Sequence, residues 1–244
     1  MDKVDVVIPT RDPKTIRPQL LRTLERAPWV NILILETSKP LANARINGAS
    51  KAKTEWIAMF DDDVEIPDNW FDLMSPHAGD GVLCVSGVFV EQFKPMAHYQ
   101  RVVGKFYDLN TLKVPRICNV LIRREVLVNY PPPSLKYSPD ACFYCEDEIL
   151  YRYVQKQGQW LAIPNTGVKH YFKPKDPSRS GRAFYDAHFW TWRNIAFRLV
   201  THFVFSWVAC WYSRDLSPVR FWYSHYYKFC KGWLSAWKEN KKVG

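Results

Sequence analysis

Several familiar classes of protein are excluded by what this chain lacks. Its six cysteines (84, 118, 142, 145, 210 and 230) are scattered. The one C-x-x-C, in "CFYC" (142–145), has no second pair at the spacing a zinc ribbon requires. They read as small buried residues, with a Cys142–Cys145 disulfide left open if the host cytosol is oxidising. No internal repeat and no low-complexity segment is present, so a repeat array is excluded. The longest apolar stretch, "WTWRNIAFRLVTHFVFSWVACWY" (190–212), nearly reaches bilayer length but is interrupted by Arg193, Arg198 and His202. No signal peptide is visible, because "MDKVDVVIPT" runs straight into a strand-like stretch. The expectation is a cytoplasmic start.

What is present suits a folded α/β protein. The 244 residues, 47% apolar and 24% charged, can build one large domain, or a domain with an appendage. Two features are unusual, and both gather at one end. Residues 181–244 hold seven of the 11 Trp, 19 of the 38 aromatics, and +7 of the formal charge of +10. This asymmetry marks a boundary near the basic loop Lys173–Arg182. The expected division is 1–180, itself split near residue 90, and 181–244.

"VDVVIP" (4–9), "VNILILE" (30–36), "WIAMF" (56–60) and "GVLCVSGVFV" (81–90) read as strands. Helical patterns stand at Ile16–Leu24 and over 41–56. Strand–helix alternation in the first 60 residues predicts parallel βαβ units, whose ligands bind beyond the carboxyl ends of the strands. Pro9-Thr10, Glu36-Thr37 and Asp61–Asp63 each follow such an end, so they are expected along one edge. Farther on, 116–130 reads as a strand running into a short helix. Residues 131–140 form a Pro-rich loop, and "EDEILYRYVQKQG" (146–158) a helix with acids in its first turn. "QWLAIP" (159–164) and "GVKHYF" (167–172) follow as strands.

"FDDDVEIPDNW" (60–70) crowds four carboxylates after an apolar strand. If the chain stays extended, Asp61, Asp63 and Glu65 point to one side and Asp62 to the other. Hard oxygens at a strand end suit Mg²⁺ or Mn²⁺, and a solvated acidic turn is the other reading of this stretch alone. An EF-hand is rejected, because Ile66 and Pro67 stand where its turn needs glycine. Glu146, Asp147 and Glu148 supply either a general base or a complement to the helix dipole. His170 is a third metal ligand or a core histidine. Arg45 and Lys51 contact phosphate or water.

In this order and spacing, "VDVVIPT", "ILILETS", "ARINGASKAKTEWIAMFDDDVEIPDNW" and "CEDEILYRYVQKQG" resemble the family 2 inverting glycosyltransferases of GT-A fold. The resemblance spans residues 3–172. It implies a Rossmann-like α/β domain with a mostly parallel central sheet and a nucleotide-sugar donor. Pro9, Thr10, Arg11, Glu36, Arg45, Asp61 and Asp62 would serve that donor. Asp63, with Glu65 and His170, would hold Mn²⁺ or Mg²⁺. Asp147, supported by Glu146, would deprotonate the acceptor hydroxyl. Lys173, Lys175, Arg179 and Arg182 would close over the diphosphate, or else belong to an exposed linker. After the second strand, "ETSKP" stands where the family carries an acidic, glycine-rich turn.

The aromatic and basic C-terminal region suits helices lying in the headgroup layer of an anionic membrane. The alternatives are a spanning hairpin, or packing on the α/β domain or a second subunit. The expectation is therefore a transferase on the cytoplasmic face of a membrane, acting on a lipid-linked saccharide or glycolipid. A polyprenyl-phosphate sugar synthase is the nearest alternative. A basic nucleic-acid-binding protein is the alternative from another class, although that reading leaves both acidic sites unexplained.

Overall fold

The computed structural model describes residues 1, 3–106, 117–131, 142–171, 178 and 192–241. Its elements follow as β1 (Val4–Pro9), α1 (Pro18–Arg26), β2 (Val30–Glu36), α2 (Leu41–Lys51), β3 (Trp56–Phe60) and β4 (Val64–Glu65). Next come α3 (Trp70–Met74), β5 (Val82–Glu91), α4 (Lys94–Phe106), β6 (Asn119–Arg123) and α5 (Arg124–Val128). The last are α6 (Cys142–Gln155), β7 (Gln159–His170), α7 (Trp192–Ser213) and α8 (Ser217–Lys241).

The seven strands form one sheet in the order β2-β1-β3-β6-β5-β7-β4. β1 pairs in parallel with both β2 and β3, as the βαβ pattern predicts. Beyond β3 the direction changes: β6 is antiparallel to β3 and to β5, and β4 to β7. The parallel portion is thus built from residues 4–60, where the βαβ pattern was read, and the rest is a mixed extension. The predicted strands 159–164 and 167–172 are one strand, β7. Asn165 and Gly167 have positive φ within it (53° and 70°).

Both faces of β1 and β3 are covered, and every residue of the two strands is buried, apolar throughout except for Asp5. Val4, Val6 and Ile8 pack with Ala58 and Phe60 against Leu20 and Leu24 of α1 and Trp70 of α3. Val7, Ile57 and Met59 face the other way, toward Ala49 of α2, Val126 of α5 and Leu150 of α6. α2 lies so close to β1 that a Cβ on Gly48 would collide with Val7 Cγ1. That helix, expected to fade around Gly48 or Thr54, stops between them at Lys51. The Asp5 carboxylate is buried there and accepts from Lys53 and Thr54 N–H and Asn31 Nδ2. Burial would raise its pKa, but these donors outweigh it and hold it low.

The chain divides into two compact units: 1–90 with 110–132 and 146–171, and 91–109 with 133–145 and 172–244. In the second, α7 and α8 pack on each other and on α4. Their connecting turn has Arg214 at φ 51°. Asp215 accepts from Ser217 N–H at 2.8 Å and pairs with Lys94 at 2.7 Å. The Lys94 hydrogen bond holds its pKa down to about 2. Among the described residues, no helix is long and apolar enough to cross a membrane.

Candidate functional site

The three consecutive aspartates sit in the turn between β3 and β4, and each is fastened to a different part of the fold. Asp61 N–H donates to Cys118 O (3.0 Å), Arg17 N–H to Asp62 O (3.0 Å), and Tyr171 N–H to Asp63 O (2.9 Å). Their side chains diverge in the same way. Asp61 Oδ1 accepts from Arg45 Nη2 of α2 at 2.7 Å. Asp62 Oδ2 accepts from Thr10 Oγ1 at 2.8 Å and Thr15 Oγ1 at 3.1 Å. Asp63 Oδ1 lies 3.5 Å from His170 Nε2, and both side chains are only 13% exposed.

This arrangement corrects the alternation expected for an extended strand. The chain turns at Asp62-Asp63, so Asp61, Asp63 and Glu65 do not line one side. Glu65 is drawn elsewhere: its carboxylate accepts from Arg17 Nε (2.8 Å) and Nη2 (2.5 Å) and from Tyr171 Oη (2.9 Å). Burial would raise its pKa, yet the Arg17 and Tyr171 bonds and the Arg17 charge hold it below the usual range. Arg17 also stacks on Tyr171, 3.5 Å from the ring centroid. Among the described residues no three His, Cys, Asp or Glu form a ready metal cage. Of the expected Asp63, Glu65 and His170, Asp63 and His170 approach each other, whereas Glu65 is held by Arg17 and Tyr171. A groove of about 610 Å³ borders Glu65, lined by Arg17, Gln19, Arg22 and Lys169. None of Thr10, Glu36, Asp61 or His170 lines it.

The parallel strands gather the other expected residues at their carboxyl ends. Thr10 N–H donates to Glu36 O at 2.9 Å, joining the ends of β1 and β2. Glu36 is buried; its Oε1 accepts from Ser38 N–H (3.0 Å) and Oγ (2.5 Å), and its Oε2 meets Lys51 Nζ at 2.5 Å. Lys51 and Ser38 depress its pKa to about 2. Lys51 is thereby paired with Glu36, which neither of the two options the sequence left open, phosphate or water, had named. Pro9 is buried and Arg11 is exposed beside them.

α6 begins at Cys142, one turn earlier than expected. Glu146 and Asp147 consequently stand in its second turn, and its first turn carries no acid. This removes the reading of these acids as dipole complements at a helix start. Their side chains, with those of Cys142 and Cys145, lie outside the described residues, as do Lys173, Lys175, Arg179 and Arg182.

Sequence reasoning missed Thr15, Arg17 and Tyr171, which position the acids, and also Asn119. The Asn119 amide exchanges two 3.0 Å hydrogen bonds with the Gly87 backbone. Asn119 pairs with Phe60 across the β3–β6 ladder, next to the acidic turn. One signal existed for it: a lone amide inside the apolar run "RICNVLIR".

The profile described as glycosyl transferase family 2 matches residues 6–132. No curated protein matches the chain. Solved structures of similar fold include glucosyl-3-phosphoglycerate synthase from Mycobacterium tuberculosis with Mn²⁺, uridine-diphosphate-glucose and phosphoglyceric acid. That match has a TM-score of 0.53 at 12% identity, covering 76% of this chain and 78% of the other. The same synthase with Mn²⁺ and uridine-diphosphate-glucose alone gives 0.54 at 12%, with 76% and 78% covered. A structure described as a mycobacterial protein gives 0.54 at 13%, with 76% and 74% covered.

Proposed function

The chain belongs to glycosyl transferase family 2, and from that premise we propose that it moves a hexose from a UDP- or GDP-sugar to a hydroxyl of a membrane-bound saccharide or glycolipid. The observation that carries the proposal is the convergence of Thr10, Glu36 and the Asp61–Asp63 turn at the carboxyl edge of β2-β1-β3. Ligands of open α/β sheets bind at that edge. The likeness to structures holding uridine diphosphate with Mn²⁺ or Mg²⁺ supports a nucleotide-sugar donor.

Asp63 and His170 fit a divalent cation. A carboxylate and an imidazole 3.5 Å apart at a strand end are an incomplete cage. Mg²⁺ and Mn²⁺ accept such a set when substrate phosphates supply the other oxygens. Bound there, Mn²⁺ or Mg²⁺ would offset the negative charge that grows on the departing diphosphate. The buried end of β1 and the Glu36–Ser38 turn would seat the nucleoside. Arg45 would orient Asp61 beside it. Asp147, supported by Glu146, takes the proton from the acceptor hydroxyl as its oxygen bonds to the anomeric carbon. The bond from that carbon to the diphosphate breaks, its electron pair leaves with the nucleotide, and the configuration inverts. Lys173, Lys175, Arg179 and Arg182 are proposed to close over the diphosphate. The second unit would hold the enzyme at the cytoplasmic face of an anionic membrane, where such an acceptor resides.

Two measurements test the reaction. Thermal shifts with UDP-, GDP- and dTDP-sugars should show stabilisation by one donor class, strengthened by Mn²⁺. Asp147→Asn should abolish transfer to hydroxyl acceptors while donor binding persists. Retained turnover would assign an acceptor that needs no base, such as a polyprenyl phosphate, and would refute the role of Asp147.

A further inference from the structure

α7 and α8 each bury one face and expose another, and the exposed faces differ in chemistry. On α7, Ser206, Ala209 and Cys210 are buried. Val200, Phe203, Val204, Trp207 and Trp211 form the opposite stripe at spacings of three and four. All five are about half exposed or more, and Trp211 reaches 85%. An indole left that open on a folded unit is unusual, and five apolar neighbours on one helix face form a contiguous patch rather than scattered exposure.

On α8, Tyr226, Phe229, Trp233 and Ala236 are buried. The outward positions are Arg220, Tyr223, Tyr227, Lys228, Lys231 and Lys238. They combine four cations with two tyrosines whose rings stand in solvent. α7 contains no Asp or Glu, and α8 only Glu239, which is half-buried and hydrogen-bonded to Ser235. A second copy joined by a two-fold axis would bring these cations together with no acid to answer them. An anionic bilayer answers both stripes, with phosphates for the cations and the interfacial layer for aromatic and apolar side chains.

We propose that the outer faces of α7 and α8 form an in-plane membrane-docking surface for anionic phospholipid. In it the Val200–Trp211 stripe enters the acyl boundary, and the Arg220–Lys238 stripe binds headgroup phosphates. This deepens the reading of a membrane-bound acceptor and rests on it. The helices lie along the surface and do not cross it, in keeping with their hydropathy among the described residues.

The test is flotation of the full chain with phosphatidylcholine vesicles, with and without 30 mol% phosphatidylglycerol. Wild type should float with the anionic vesicles at low salt and lose most binding in 0.5 M NaCl or without phosphatidylglycerol. Trp207→Ser/Trp211→Ser, both at exposed positions, should lower partitioning at least tenfold with an unchanged melting temperature. Lys228→Glu/Lys231→Glu should erase the preference for anionic lipid. Unchanged flotation of the tryptophan variant would overturn the docking surface. So would a dimer-to-monomer change in light scattering without loss of flotation, which would assign the stripe to a second copy. Thermal shift with donor and Mn²⁺ on the same samples separates the two readings. Donor binding without flotation removes the docking surface alone, and flotation without donor binding removes the transferase reading alone.

Discussion

The Arg45–Asp61 pair joins two residues that the sequence assigned separately to the donor, and its geometry sets an asymmetric expectation. The side chain of Arg45 is 3% exposed and that of Asp61 28%, with 2.7 Å between Nη2 and Oδ1. Asp61→Asn keeps an oxygen for Arg45 but removes the negative charge that faces Nη2 of this buried guanidinium. Fully buried pairs broken in this way lose about 3–5 kcal/mol, and exposed pairs under about 1 kcal/mol. Water reaches one partner here, so Asp61→Asn should cost about 1–3 kcal/mol, between those limits. Arg45→Met, which leaves the better-hydrated carboxylate behind and keeps an unbranched chain in the core, should cost roughly 1 kcal/mol or less. Urea unfolding of both single variants and the double variant gives the coupling energy directly. Donor affinity should fall in each single variant, and in the double no further than in the worse single. A coupling within about 0.3 kcal/mol of zero, the scatter expected for independent sites, would show that the pair is incidental. A larger loss from Arg45→Met than from Asp61→Asn would refute the desolvation argument.

Asp63→Asn should abolish the Mn²⁺ dependence of donor binding, whereas Glu65→Gln should lower stability and leave that dependence intact. Equal loss of metal dependence in a Mn²⁺ titration of both variants would return Glu65 to the ligand set. Glu36, with its pKa held down to about 2, stabilises the fold fully above pH about 4.5, and that contribution is lost as the pH falls toward 2. Lys51 is largely exposed, so solvent screening trims the contribution to about 1–2 kcal/mol. The gap in unfolding free energy between wild type and Glu36→Gln should close from pH 6 to pH 2.5; a pH-independent gap would contradict the assignment. Gly87→Ala puts a Cβ into Asn119 Oδ1 and 2.8 Å from Thr166 Oγ1. It should destabilise by about 1–3 kcal/mol, as overpacking does. A melting temperature equal to that of wild type would show that the β5–β6 contact yields easily.

The sequence by itself determined the parallel half of the sheet and which residues follow the carboxyl ends of its strands. Those features rest on local patterns: apolar runs in β1, β2 and β3, helical spacing between them, and Pro9 and the acids at the strand ends. The aromatic and basic character of α7 and α8 was equally local. What only the tertiary structure decided was the division of labour among the acids. Asp62 meets Thr10 from 52 positions away, and Glu65 meets Arg17 and Tyr171 from 48 and 106. No local pattern encodes such partners, and the alternation expected for Asp61–Glu65 applied only if that stretch stayed extended. The backbone instead turns where Cys118, Arg17 and Tyr171 fasten it. A carboxylate in a crowded turn goes to the nearest donor that compensates its desolvation, and which donor is nearest is a property of the folded chain.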